Sequence, residues 1–388
     1  MNTIPSINVS PFYSRPTWIE ISRKSLIHNV KSLYKFINQN SDNNVKICAI
    51  VKSNAYGHGL KEVASVIGDL KEVEILGVTS IEEAILLREL KIKKPVLLLG
   101  SVYPFENFKY LLEYKIMPTV SSIDLLNRLG KFAKKNEKLI KFYLKVDTGM
   151  GRLGILPRSV EEFIKEYKNN KNLICEGIYT HLSSAFEDKQ YTEYQLKLFK
   201  QVIQVFKNSK INLKFTHVAN SAGILLYKEA LFNMVRPGLL IYGLLPFKGA
   251  SDIIKVSRVL SLKSKIVFLK VLPKGSYISY SKTYCTKKRT KVAIVPLGYA
   301  DGFLRVLSNK AKVLVDGKFC NVLGRVTMDM IMIDVTHIKN VKVGSEVVII
   351  GKQNGNTISA EDIAKQADTI NYEIVTRLSD RIPRFLID

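Results

Sequence analysis

Five polar residues stand at or just past the ends of short apolar runs in this chain: Lys52, Arg152, His181, Ser221 and Arg236. Lys52 lies in AIVKSNAYGHG (49–59), directly after an apolar segment. Desolvation disfavours an ammonium, so a lysine buried there loses part of its preference for the charged form, and the neutral amine can condense with an aldehyde as a Schiff base. A lone lysine at a strand end more often only snorkels to solvent. The context weighs against that, because Tyr56 four residues on can offer its hydroxyl to a phosphate and the flanking glycines let backbone approach a ligand. In MVRPGLLIYG (234–243), an arginine followed by Pro-Gly suits a phosphate cradle, with a structural ion pair as the plainer reading. Ser221 opens SAGILLYKE, a helix candidate, where a serine is either a simple cap or a phosphate ligand.

Two further patterns have competing readings. LKVDTGMGRLG (144–154) contains G-x-G-x-x-G at Gly149, Gly151 and Gly154. A dinucleotide loop of that form needs its helix to begin within the glycines, and Pro157 sets the helix start later. A tight loop that places Arg152 beside a carboxylate or ring oxygen fits better. His181 and His217, with His58 and Asp147, could be imagined as metal ligands. There is no H-x-H pair among the five histidines, and a hydrogen-bonded core role is commoner, so no metal is expected.

The elements that must carry these residues are eight apolar segments: 46–52, 75–80, 95–100, 116–120, 142–147, 176–181, 215–220 and 233–242. Most of the seven stretches between them have helical spacing. In 192–208, Phe199, Val202, Ile203 and Phe206 form a core-facing stripe, and the stretches from Ser80 and from Pro157 each open with serine and glutamates. Such alternation predicts parallel βα units closing into an α/β, (β/α)8 TIM-like barrel, whose chemistry gathers at the carboxyl ends of the strands. Past Gly243 the pattern turns to strands, with a hairpin signal at Asp316-Gly317 and one late helix in SAEDIAKQAD (359–368). The expected division is a barrel over 1–250, with an N-terminal arm over 1–17, and a mainly antiparallel β domain over 251–388.

The bulk properties exclude more than they identify. The 388 residues hold no apolar run of roughly 18–20 residues that would span a bilayer, and the N-terminus lacks the basic-then-apolar order of a secretory signal. Cys48, Cys175, Cys285 and Cys320 are far apart, which suits a reducing, cytoplasmic setting without disulfides. The net charge of +25 raises the question of a nucleic-acid partner. Its lysines are spread along helices and loops, as in KFAKKNEKLIK (131–141), and no recognition helix or nucleic-acid motif appears. Neither a nucleic-acid nor a membrane partner is expected.

Taken together, AIVKSNAYGHG, LKVDTGMGRLG, YTHLSSA, ANSAG, VRPGLLIYG, ISYSKTY, GYADG, GRVTMDM and INYEIVTRL resemble, in order and spacing, the alanine racemases, pyridoxal-phosphate enzymes of the barrel type. The resemblance runs from RPTWIEI (15–21) to RIPRF (381–385). It implies that Lys52 holds pyridoxal 5'-phosphate as a Schiff base and serves as one acid/base, acting on the D-enantiomer. It implies that Tyr280 is the second, on the opposite face, acting on L-alanine. It implies a homodimer in which Tyr280 reaches the site from the partner subunit, and a role in supplying D-alanine for peptidoglycan.

By the same resemblance Tyr56, Ser221, Gly238, Leu239 and Tyr372 match phosphate-binding positions. Arg152 and the backbone of Met328 match substrate-carboxylate positions, and Tyr299 matches a tyrosine lining the entry. Lys145 matches a lysine often carbamylated, whose negative charge would hold Arg152. Arg236 matches the arginine facing the pyridine nitrogen, which a guanidinium leaves unprotonated. His181 matches a histidine between Arg236 and the tyrosine, and a cationic chain Arg236–His181–Tyr280 would lower the phenol's pKa. Nothing in the residues themselves singles out Tyr280. Two positions depart from the family pattern: Ser281 where glycine is usual, and Thr327 where cysteine is frequent. A broader amino-acid racemase acting on serine, or a non-catalytic pyridoxal-phosphate carrier, are the alternatives, and the domain bearing Tyr280 argues against the carrier.

Overall fold

A computed structural model describes residues 15–388. The first fourteen residues of the expected arm lie outside the described residues. Contacts divide the chain into a barrel unit, Arg23–Arg258, and a β unit that joins Val259–Asp388 to the segment ending at Ser22.

In the barrel unit every one of the eight apolar segments becomes a strand: β2 (Lys46–Ile50), β3 (Val73–Val78), β4 (Val96–Leu98), β5 (Ile116–Val120), β6 (Ile140–Lys145), β7 (Leu173–Tyr179), β8 (Phe215–His217) and β9 (Met234–Val235). Each pairs in parallel with the next, and β9 returns to β2, closing the barrel. Continuous apolar runs are what strands buried on both faces require, and Ile47, Cys48 and Ala49 are fully buried. The helices are set by local chemistry. Ser80 and Glu83 form a reciprocal capping box on helix Ile81–Glu89. Ser159 makes no cap bond, because Pro157 first starts a 3-10 turn, Pro157–Ser159, that leads into helix Val160–Asn169. In helix Lys189–Asn208 the stripe is Leu196, Phe199, Val202 and Phe206, with Ile203 at its half-buried edge.

The β unit begins with β1 (Thr17–Ser22), which lies between β10 (Leu260–Lys265), antiparallel, and β20 (Arg384–Ile387), parallel. Its other strands are β11 (Phe268–Leu272), β12 (Tyr277–Ile278), β13 (Tyr284–Cys285), β14 (Thr290–Val295), β15 (Lys312–Val315), β16 (Lys318–Asn321), β17 (Ile331–Asp334), β18 (Glu346–Gln353) and β19 (Asn356–Ile358). The main sheet runs β16-β15-β18-β10-β1-β20, with β19 on β18; β11-β14-β17 form a second sheet and β12-β13 a hairpin. Asp316 and Gly317 both take positive φ, 51° and 70°, the geometry a two-residue hairpin turn demands. Ser359 and Asp362 cap the late helix, Ala360–Ala367.

The sequence reading set the domain division near residue 250 and kept the N-terminal segment with the barrel. In the structure Thr17 anchors β1 in the β unit, its hydroxyl bonding Ser264 Oγ and the Pro296 carbonyl at 2.8 Å each. The buried Asn29 grips Ser257 from both sides, accepting from its N–H and donating to its carbonyl at 2.7 Å each, which keeps the chain to Arg258 with the barrel unit.

Candidate active site

Lys52 leaves the end of β2 at a strained turn. Ser53, Asn54, Ala55 and Tyr56 all adopt left-handed backbone, with φ of 54°, 51°, 52° and 55°. Each such residue costs roughly 1–2 kcal/mol, and persists only where its surroundings over-determine it. Here Ala55 N–H donates to Val51 O at 2.9 Å and Gly57 N–H to Ser53 O at 3.0 Å. Asn54 Oδ1 accepts from Leu60 N–H at 2.6 Å, and Glu83 Oε1 accepts from Asn54 N–H at 3.3 Å. Burial, and then the Arg152 guanidinium, lower the Lys52 pKa, with Glu83 opposing.

Arg236, just past β9, is buried and held on every terminal N–H. One nitrogen donates to His217 Nδ1 at 2.8 Å and to His217 O at 3.0 Å. The other donates to Thr180 O at 2.6 Å, Val218 O at 3.0 Å and His181 Nδ1 at 3.3 Å. Five N–H groups belong to a guanidinium, so the Nε–H remains. The guanidinium lies over the Tyr179 ring at 4.9 Å, and Tyr179 stacks on His217 with centroids 4.9 Å apart. Burial brings Arg236 down to about 10, so it stays cationic at neutral pH.

Both histidines accept from this cation at Nδ1, which places their own proton on Nε2. Burial first, and Arg236 next, push both well below the usual histidine range. Arg236 supplies the positive charge at this point, and His181, accepting from it at Nδ1, has its Nε2 left to donate.

Around Ser221 the phosphate-type features converge. Asn220, not Ser221, caps helix Ser221–Leu226, its side chain accepting from Gly223 N–H. Ser221 Oγ is thereby free to accept from Gly238 N–H at 3.2 Å and Leu240 N–H at 3.4 Å. Leu239 opens the 3-10 turn Leu239–Tyr242, so two helical N-termini meet at one hydroxyl. A Cβ at Gly238 would fall 2.4 Å from the Tyr56 hydroxyl oxygen, so only glycine lets that phenol close over the turn.

Arg152 sits on a loop that one carboxylate organises. Asp147 accepts from the N–H groups of Gly149, Met150, Gly151 and Arg152, at 2.8–3.1 Å. Burial alone would raise the Asp147 carboxyl; the four bonds outweigh it and hold the group below its ordinary value. The glycines serve this loop and the helix starts after it. Lys145, at the end of β6, is buried beneath with its ammonium 5.6 Å from the Tyr179 ring centroid. Burial, then Arg152, Arg236 and Lys52, lower it to about 8, against a pull from Asp147.

The remaining expected residues belong to the β unit. Tyr280 is 70% exposed on a turn where Ser279, Ser281 and Lys282 all take positive φ, anchored by Ser279 Oγ on Arg325 O at 2.7 Å. Tyr299 and Met328 are brought together: Tyr299 N–H donates to Thr327 O and Ala300 N–H to Met328 O, each at 3.0 Å. The fully buried Asp301 fixes this turn, accepting from Arg15 at 2.9 Å, Arg381 at 2.7 Å and Gly298 N–H at 2.8 Å. Tyr372 stands in helix Asn371–Thr376.

Sequence reasoning missed His217 as a partner of Arg236, Asp147 as the loop organiser, and Asp301 with its two arginines. Only Asp147 carried a usable signal, an aspartate immediately before a glycine-rich turn. Among the described residues no three His, Cys, Asp or Glu side chains converge as a metal site, and all four cysteines are free. No helix of the described residues is long and apolar enough to cross a membrane.

Fold and cradle define a parallel eight-stranded barrel protein, with a β unit, that gathers lysine, arginine and serine at the strands' carboxyl ends. The chain belongs to the alanine racemase family. The family model for the alanine racemase N-terminal domain matches residues 21–246, and that for the C-terminal domain matches 259–386. The alanine racemase of Halothermothrix orenii is 43% identical over 372 residues, covering 96% of this chain and 97% of that one. The alanine racemase of Methanococcus maripaludis is 40% identical, covering 96% and 99%. The structure of the Bacillus anthracis alanine racemase with bound L-Ala-P superposes with a TM-score of 0.90 at 36% identity, covering 98% and 96%.

Proposed function

We propose that this protein interconverts L- and D-alanine with pyridoxal 5'-phosphate, using Lys52 and Tyr280 as opposed acid/bases. The observation that carries the reading is the Tyr56–Gly238–Ser221 contact in the same barrel unit as a lysine whose charged form is disfavoured. The residues fit the cofactor. Lys52 supplies the amine for its aldehyde; Tyr56, Ser221, the Gly238–Leu239 backbone and Tyr372 hold its phosphate. Arg236, with its Nε–H remaining, would donate to the pyridine nitrogen and, unable to give up a proton, would leave that nitrogen unprotonated. When bound, the cofactor supplies an electron sink for the pair left as the α-proton departs.

Inversion at one carbon requires a proton to leave from one face and another to arrive on the opposite face. Lys52 serves the face from which D-alanine loses its proton, and Tyr280 of the partner subunit serves the other, in a homodimer. The exposure of Tyr280 suits display to a second chain. His181, neutral and fixed by Arg236, presents its Nε2–H as a donor for the phenol oxygen. Arg152 and the Met328 backbone take the substrate carboxylate, and Tyr299 narrows the entry. Lys145 as an ammonium repels Arg152, Arg236 and Lys52; as a carbamate it attracts all three, and its lowered pKa supplies the neutral amine that carbon dioxide needs. A cytoplasmic supply of D-alanine for peptidoglycan accords with four unpaired cysteines.

The test is product chirality. Purified protein with L-alanine, L-serine and L-lysine should racemise alanine fastest. Preference for serine would move the assignment to a broader racemase, and no racemisation of any of them would overturn it.

A further inference from the structure

The barrel has a second mouth. At the amino ends of β3 to β8 lies an open cavity of about 530 Å3, with an apolar wall formed by Ile75, Ile92, Pro95, Met117 and Phe215. Barrel enzymes place chemistry at the opposite end and normally fill this one for stability. Some of its charges are already satisfied. Lys141 pairs with Glu176 at 2.5 Å, and Arg88 donates to the carbonyls of Ile92, Lys94, Tyr114 and Lys115. That leaves the ammonium groups of Lys93, Lys115 and Lys214, and the carboxylate of Glu74, without an ion-pair partner among the described residues.

Tyr143 also lines the cavity. Its side chain is fully buried, and its hydroxyl has no hydrogen-bond partner among the described residues. A buried polar group left in that state costs about 1–3 kcal/mol. The placement is built in: a Cβ at Gly177 would come 2.7 Å from the Tyr143 ring, so the missing side chain makes the room. Burial, with Glu176 and Glu74 among the neighbours, raises the phenol far above its ordinary value and keeps it a donor.

We propose that this mouth binds an apolar amino acid as its zwitterion. The ammonium pairs with Glu74, the carboxylate takes the free lysines and the Tyr143 hydroxyl, and the side chain lies on the apolar wall. A bare polyanion would meet the Glu74 and Glu176 carboxylates, and a plain hydrocarbon would leave Tyr143 unsatisfied. The Tyr143 ring stands edge-on to His217 at 5.3 Å, and His217 accepts from Arg236 at 2.8 Å. An occupant bonded to Tyr143 is thus two side chains from the arginine at the other end of the barrel. The inference does not depend on the reaction assigned there.

Calorimetric titration of the cofactor-loaded protein with L-leucine tests it, with L-leucine-soaked crystals locating the ligand. Saturable binding of one leucine per chain is expected at this mouth, weakened about tenfold by Glu74→Gln and by Tyr143→Phe, and unchanged by Lys52→Ala. 4-Methylpentanoate, which is leucine without the ammonium, should bind about tenfold more weakly than leucine. Absence of saturable binding, equal affinity for 4-methylpentanoate, indifference to both cavity variants, or loss of binding in Lys52→Ala would each overturn the proposal.

Discussion

The barrel cradle and the Tyr280 turn are built on opposite plans. Arg236 is buried and committed to five acceptors, and Lys52 leaves its strand on a left-handed turn pinned by backbone and by Asn54 and Glu83. Tyr280 is largely exposed, and the Ser279 hydroxyl, donating to Arg325 O, anchors its turn. The contrast teaches that the fixed parts belong to the residues proposed to hold a cofactor, while the residue proposed as second base stands largely exposed. Changes in the two places should therefore fail differently.

The sharpest difference is kinetic. Tyr280→Phe should lower turnover by about 10²–10⁴-fold, the usual worth of a general acid/base, yet shift stability by no more than about 0.5 kcal/mol. Steady-state rates in both directions and a denaturant melt check both halves, and undiminished turnover would remove the tyrosine from the mechanism. Arg236→Leu should do the reverse to the fold, costing about 1–3 kcal/mol or more because two imidazoles and three carbonyls lose their donor. Denaturant unfolding measures this, and a loss below about 1 kcal/mol would contradict the hydrogen-bonding role of Arg236.

Asp147→Ala should loosen the Arg152 loop. Its expected signature is a KM for alanine raised about tenfold, the effect of roughly 1.4 kcal/mol of lost carboxylate binding, with a smaller change in kcat. A kcat effect alone would mean that the loop does not position Arg152 for binding. The smallest expected effect is at the displayed turn: Ser281 carries φ of 60°, so Ser281→Gly should stabilise by about 1 kcal/mol.

The histidines add a pH signature. His217 and His181 are held below the unfolded value of 6.5, so below that pH the unfolded chain binds protons that the native chain refuses. Stability is then present above about pH 6.5 and declines as the pH falls from there. His217→Gln should shed about one proton from that slope. An unchanged slope would mean that His217 is charged in the fold.

Much of this was legible from residue types. All eight barrel strands follow from apolar runs of buried-strand length, and the Asp316-Gly317 turn from its dipeptide. The Lys52–Tyr56 turn was not, since only Asn54 in Ser-Asn-Ala-Tyr favours left-handed backbone; a local bond from Ala55 to Val51 O and the Glu83 carboxylate hold the rest. β1 was missed because its partners are remote in sequence: Thr17 pairs with Ser264 and Ile19 with Arg384. His217 looked like any strand-end histidine until the arginine, on a neighbouring strand, was seen to donate to it. The place of His181 beside Arg236 came from the resemblance, and its bond to the arginine, at 3.3 Å, depends on a strand 55 residues away.

The central claim is that Lys52 is the amine that carries the cofactor. Protein purified with ample pyridoxal phosphate, reduced with borohydride, digested and mapped by mass spectrometry tests it most directly. The account predicts a visible absorption band lost on reduction and one pyridoxyl group, on the peptide containing Lys52. A colourless protein, or a label on another lysine such as Lys145, would contradict it.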